Sequence, residues 1–182
     1  MRQWVIIGII VAILIASYFW NRSREIQPGE TLPTPEEIIV QEDGQVVKKT
    51  DEGVEVLSEE EAQAKKQEIT EKVAEAEAES LQAVPGKGGS GTTSRVYDGN
   101  TYYQRLTVEG LTPLQKGFYY EAWLQKDDGI PVSIGRIEVV GSQGELYYSI
   151  AEDRTIYNKV LVSYEMEDGN AQIGGTVLTT TP

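Results

Sequence analysis

The feature that most constrains the fold is a series of short segments within residues 92–182 in which apolar and polar residues alternate. In one of them Leu106 and Val108 would face one side of a strand, and Arg105 and Thr107 the other. Asp-Gly pairs, which favour tight turns, separate several of these segments. The pattern predicts strands over residues 93–97, 101–109, 117–125, 131–140, 145–150, 156–165 and 173–179. We therefore expect a mainly β domain, an Ig-like two-sheet antiparallel β-sandwich of about seven strands.

The fourth predicted strand changes phase in its middle. Val132 and Ile134 share one face, but Ile137 and Val139 belong to the opposite phase. One extra residue near Gly135 would return both pairs to the core, as a β-bulge does. Gly135 thus has a structural explanation that needs no ligand.

The third predicted strand is apolar on both faces. Tyr120, Ala122 and Leu124 share one face, while Tyr119 and Trp123 share the other. Such a strand is central in a sandwich or has its outer face covered, and we expect Trp123 to be a packing residue whose indole N–H finds a partner.

The chain begins with an apolar segment. Residues 4–20 lack formal charges and end in aromatic residues on both sides, which is typical of a membrane-spanning helix of roughly 25 Å. Bulky Tyr18 occupies the region where a signal peptidase would need small residues. Residues 1–24 are therefore predicted to be an uncleaved transmembrane anchor. Arg2 and the acidic sequence beyond Arg24 favour a cytoplasmic N-terminus.

The middle of the chain is acidic and changes character twice. Residues 25–57 form a linker with prolines and glycines, in which Asp43-Gly44 predicts a hairpin. Ser58 and Glu61 form a capping box, which predicts a helix over residues 58–84. Its heptad pattern is weak, so a solvated stalk helix is favoured over a self-associating one.

A glycine-rich segment, residues 85–91, follows the predicted helix. It lacks the Gly-Lys-Ser/Thr ending of a phosphate-binding loop. We expect it to be a flexible joint between the stalk helix and a β-domain over residues 92–182.

Composition excludes several classes of function. The chain has no cysteine and no histidine, so Cys-His and Ser-His-Asp catalysis and the usual transition-metal sites are absent. A net charge of −13 without a basic patch argues against nucleic-acid binding. We expect no enzyme activity, no cofactor and no metal.

Three acidic groups are candidates for calcium ligands or an acid pair. None fits the spacing of a calcium loop, and all fall at turns or strand ends, where acidic residues are common. We expect Glu165 to bind backbone N–H groups. The acidic groups are Asp127-Asp128, Glu152-Asp153 and Glu165-Glu167-Asp168.

A set of core and turn residues resembles the extracytoplasmic domain of the anti-sigma-K factor (RskA) family, over about residues 80–182. The resemblance implies a domain outside the bacterial cell membrane on a single membrane span, and it includes the Gly169 turn and a last apolar strand. The residues that carry it are Leu106, Val108, Gly110, Leu111, Pro113, Tyr120, Trp123, Leu124, Pro131, Gly135, Gly144 and Lys159 to Glu165.

This chain departs from the family pattern at both ends. Family members carry a cytoplasmic sigma-binding domain before the span, where this sequence has only Met1-Arg2-Gln3. We therefore expect no sigma-factor sequestration by that route. The family's Gly-Gly-Ser and Pro-Thr are replaced by residues 167–170 and by Gly174-Gly175.

Two functions remain open from the sequence. The first is a membrane-anchored extracytoplasmic interaction or sensory module that binds an envelope protein in signalling. The second is a passive cell-surface structural protein. A glycan-binding role, based on tyrosine content, is a more distant third.

Overall fold

The computed structural model describes residues 36–40, 46–50, 52–127, 129–168 and 172–180. The predicted anchor, residues 1–24, and most of the linker lie outside this part of the chain. None of the helical structure that is described combines the length and hydrophobicity needed to cross a bilayer.

Within the described residues, twelve strands and one helix follow one another along the chain. The helix, α1, spans Glu59–Lys72, between the third and fourth strands. The strands are β1 (Glu37–Val40), β2 (Val46–Thr50), β3 (Gly53–Val56), β4 (Ala78–Ala83), β5 (Ser90–Tyr97), β6 (Tyr102–Glu109), β7 (Phe118–Gln125), β8 (Val132–Arg136), β9 (Glu138–Val140), β10 (Gln143–Ile150), β11 (Lys159–Met166) and β12 (Gly175–Thr180).

These strands form one antiparallel sheet. Its hydrogen-bonded order is β3-β2-β1-β10-β6-β5-β4-β12-β11-β7-β8, and β9 pairs with β10 beside this path. The prediction of a mainly β, antiparallel fold is confirmed. The prediction of two separate sheets is wrong, because β4 pairs with β5 on one side and with β12 on the other.

The sheet folds over on itself around the main core. Leu106 and Leu146, on β6 and β10, belong to the same buried cluster as Leu124 and Val162, on β7 and β11. These pairs of strands are far apart in the hydrogen-bonded order, so the two halves of the sheet must face each other. The molecule is therefore sandwich-like in its packing although its backbone hydrogen bonds are continuous.

The predicted helix over 58–84 is shorter than expected. It ends at Lys72, and residues 78–83 form strand β4 instead. Leu81 is only 1% exposed and lies in the main core, and pairing on both edges outweighs the helix propensity of Ala, Glu and Gln in this segment.

Helix α1 lies on the outer face of the sheet and is not a solvated stalk. Its capping box is present, with the Glu61 amide donating to Ser58 Oγ and Glu61 accepting from the Ser58 amide. Ala62, Ile69 and Val73 pack with Tyr103 of β6 in a second buried cluster. The helix thus contributes a second, smaller core on the opposite face of the sheet.

The segment before α1 also belongs to the sheet. The described strands β1, β2 and β3 form a ribbon, of which β1 pairs with β10 through Glu37, Ile38 and Ile39. Val47 is buried in the main core. The predicted start of the β-domain at residue 92 is therefore too late, because strands from residue 37 onward share one sheet with it.

The predicted bulge at the fourth strand is present. The register between β7 and β8 shifts at Ala122/Trp123, with Ala122 opposite Gly135 and Trp123 opposite Ser133. Ile134 and Ile137 are both buried, whereas Val139 is exposed. The phase change marks the point at which the chain leaves β8 and joins β10 as β9.

Two further predictions change at strand ends. Residues 90–91 belong to β5, so the glycine-rich segment connects the paired strands β4 and β5 instead of joining two domains. A Cβ at Gly91 would lie 2.6 Å from the carbonyl oxygen of Thr107, which explains the glycine. Ile156, placed in a predicted strand, precedes β11 and is exposed.

Candidate functional site

The acidic groups singled out in the sequence are separate, and each described member has a structural partner. Asp127 accepts a 2.7 Å hydrogen bond from Asn158, and Asp128 lies outside the described residues. Glu152 pairs with Arg154 at 2.9 Å, and Asp153 accepts hydrogen bonds from Thr155. Across the described residues, no three acidic side chains gather as metal ligands.

The third acidic group divides between surface and interior. Glu167 pairs with Arg136 at 3.2 Å on the surface. Glu165 is 5% exposed, and both of its carboxylate oxygens accept from the Gly174 amide at 2.8 Å. The prediction that Glu165 binds backbone N–H groups is confirmed.

Glu165 belongs to a buried chain of hydrogen bonds on the outer face of β7 and β11. Trp123 Nε1 donates to Ser163 Oγ at 2.8 Å, and Ser163 donates to Glu165. Trp123 is 5% exposed. This geometry confirms the prediction that Trp123 is a packing residue whose indole N–H has a partner. Because the ring is buried, it cannot stack on a glycan.

Beside this chain lies a half-buried carboxylate. Glu121 of β7 accepts a 2.5 Å hydrogen bond from Ser133 of β8. Burial raises the pKa of Glu121, and the nearby Glu165 adds to the rise. Arg136 stacks on the Tyr119 ring at 3.6 Å and shields part of this cluster.

A larger concave surface lies between α1 and the strands beside it. This polar cleft has a volume of about 1230 Å³ and is lined mainly by amide, hydroxyl and charged side chains. Its helical wall consists of Gln63, Lys66, Gln67 and Thr70, which share one side of α1.

The floor of the polar cleft comes from outward-facing strand residues. Thr92 and Thr107 face each other across β5 and β6, with their hydroxyl oxygens 2.9 Å apart. The Tyr147 ring on β10 has Lys66 at 5.6 Å and Arg105 at 5.5 Å from its centroid. These contacts fix the aromatic part of the floor.

Charges in the polar cleft are paired across elements. Lys66 reaches Glu138 of β9 at 3.3 Å, and Arg105 reaches Glu145 of β10 at 2.8 Å. Burial opposes ionisation of Glu145, but hydrogen bonds from Arg105 and Tyr147 outweigh it and lower the pKa of this carboxyl. The surface is therefore polar and preorganised.

The lining is suited to binding more than to chemistry. Amides such as Gln63, Gln82 and Gln143 can donate and accept hydrogen bonds at once, as extended polar partners require. The cleft was not predicted, because the helix was expected to be a solvated stalk and not to pack on the sheet. The capping box predicted where the helix begins. The apolar stripe of Ala62, Ile69 and Val73 was too narrow to indicate that the helix packs on the sheet.

One family model matches most of the chain. The family model for the C-terminal part of anti-sigma-K factor RskA matches residues 9–177. No curated protein and no solved structure matches the chain. The match extends well beyond the residues in which the resemblance was seen, and it includes the ribbon β1–β3, helix α1 and β4. The chain belongs to the RskA C-terminal family.

Proposed function

We propose that this protein is a membrane-anchored extracytoplasmic interaction module that takes part in envelope signalling by binding another protein. The observation that carries the proposal is the family match over residues 9–177. The match begins inside the apolar run 4–20, so the family pattern covers much of the predicted anchor as well as the β-domain.

The polar cleft is the proposed binding surface for that partner. It brings together one side of α1 and five strands, so a partner bound there would contact the helix and the sheet at once. Interfaces between non-obligate partners are about as polar as the rest of a protein surface, which fits this lining.

Site-specific photocrosslinking in intact cells tests the binding surface. A photoreactive residue in place of Gln82, which lines the polar cleft, is expected to give a discrete adduct with one envelope protein. The matched control is the same substitution at Lys126, an exposed residue outside the cleft, which is expected to give none.

Topology and output are tested separately. Protease added to intact spheroplasts is expected to digest the β-domain but not a tag placed at the N-terminus. Deletion of the gene is expected to change the transcriptional response to envelope stress. A deletion strain with an unchanged response, together with no adduct at Gln82, would favour the passive structural protein.

A further inference from the structure

A second concavity lies between the loop that follows β4 and the loop that precedes β7. This apolar pocket has a volume of about 430 Å³, which is within the usual range for small-ligand sites. Most of its side chains are apolar or aromatic: Pro113, Leu114, Phe118, Tyr120, Tyr164 and Val177.

The charge of the apolar pocket differs from that of the chain. The protein carries a net charge of −13, and the polar cleft alone contains Glu109, Glu138 and Glu145. Among the residues that the structure describes, the lining of the apolar pocket contains no carboxylate and one cation, Lys87. An acidic protein thus presents a positive charge beside an apolar surface at this place.

Lys87 has spare capacity to bind an anion. Its ammonium lies 5.1 Å from the centroid of the Tyr164 ring, and no carboxylate among the described residues forms an ion pair with it. The ammonium carries three donors, and a ring face uses none of them as a strong hydrogen bond. A carboxylate at the rim would satisfy them.

The backbone next to Lys87 is also suited to a close approach. Gly86 has φ +81°, and no atom outside its neighbours lies within 4 Å of the position of a Cβ there. Gly88 also lines the pocket, and its amide donates no hydrogen bond within the described chain. Glycines on both sides of Lys87 let an anion reach main-chain N–H groups without steric hindrance.

We propose that the apolar pocket binds the C-terminus of a partner protein, with the carboxylate on the Lys87 ammonium and the Gly88 amide, and a large apolar final side chain between Leu114 and Phe118. Capture of a chain end by a basic group and backbone amides is a recurring mode of peptide recognition. The inference rests on the proposed function as an interaction module, but it concerns a surface separate from the polar cleft.

Fluorescence polarisation with defined peptides tests the proposal on the full chain in lipid nanodiscs. The probe is fluorescein-Gly-Ser-Gly-Ser-Leu with a free carboxylate. Its carboxamide counterpart is expected to bind roughly tenfold more weakly, the value of a charge-assisted hydrogen bond. A peptide that ends in Asp instead of Leu is expected to show no saturable binding.

Charge variants separate the two halves of the site. K87Q is expected to weaken binding of the free-acid peptide roughly tenfold and to leave binding of the carboxamide peptide unchanged. The preference for the free acid then disappears. Lys87 is exposed, so the variant keeps the fold. The matched control is K116Q, a neighbouring exposed lysine outside the lining, for which binding is expected to be unchanged.

Three outcomes would overturn the inference. In the first, the protein binds the free-acid and carboxamide peptides with equal affinity. In the second, K87Q and K116Q weaken binding of the free-acid peptide equally. In the third, octanoate competes as strongly as unlabelled peptide, which would make this a small-molecule pocket. Any of these, with an adduct still formed at Gln82, would reject the chain-end site and leave the proposed function standing.

Discussion

At the residue scale, several polar side chains are buried within the sheet and hydrogen-bonded to one another. Ser163 is fully buried, and its hydroxyl both accepts from Trp123 and donates to Glu165. Removing a hydroxyl from the middle of such a series of hydrogen bonds leaves a buried donor or acceptor unpaired.

We therefore expect Ser163→Ala to lower the free energy of unfolding by about 1–3 kcal/mol, because Trp123 Nε1 loses its acceptor. Urea denaturation followed by circular dichroism measures this. Ser133→Ala is the control, since Ser133 is half-buried and its partner Glu121 can be hydrated. Equal losses in both variants would show that the buried chain has no special role.

Glu121 provides a pH-dependent prediction. Its pKa in the folded protein is raised by burial, so its contribution to stability is present at low pH and is lost as the pH rises through the folded pKa. Glu121→Gln cannot ionise. We compare the free energy of unfolding of this variant with that of the wild type. The difference is expected to be more favourable to the variant at about pH 7 than at about pH 4. Urea unfolding at both pH values measures the difference, and a pH-independent difference would contradict the prediction.

At the scale of elements, α1 shows how docking decides the role of a helix. Its buried face consists of a few residues, among which Ile69 is 1% exposed against the sheet. Most of the remaining surface of α1 is polar or charged, and this explains why the sequence alone favours a solvated stalk.

Ile69→Ala is expected to destabilise the protein by about 2–5 kcal/mol, because it leaves a cavity between α1 and the sheet. Gln63→Ala, on the exposed side of the same helix, is expected to change stability by about 0.5 kcal/mol or less. The same urea experiment measures both. A small effect at Ile69 would mean that the helix does not depend on this interface.

Strands occupy each of the seven ranges expected in residues 92–182, because alternation of apolar and polar residues reflects burial on one face, although the range 131–140 is divided between β8 and β9. Strand β4 could not be found in this way. Its residues favour helix in isolation, and only the long-range partners Gly91 and Leu178, opposite Leu81 and Ala83, make it a strand. The polar cleft depends on the docking of α1 and on β4, so it could not be predicted either.

At the scale of the whole molecule, continuity of the sheet decides where the folding unit begins. Strand β4 joins the two halves, and β1 covers the edge of β10. A chain that begins at residue 92 lacks both strands, although it contains all seven ranges in which the sequence predicts strands of the β-domain.

We expect the fragment 92–182 to unfold without a cooperative transition, whereas the fragment 34–182, which keeps all the described strands and α1, melts cooperatively. Thermal melts followed by circular dichroism distinguish the two. A cooperative melt of the shorter fragment would show that β4 and the first ribbon are dispensable.

Strand β1 has a mechanical consequence. It is the first described strand of the chain, and it is held to β10 by the pairs Glu37–Ile150, Ile38–Ser149 and Ile39–Tyr148. Tension transmitted along the chain from upstream of residue 36 therefore loads β1 before any strand of the main core. Peeling β1 away would uncover Ile38, which packs in the same cluster as α1, so a pull on the linker would loosen α1 and the ribbon β1–β3 first.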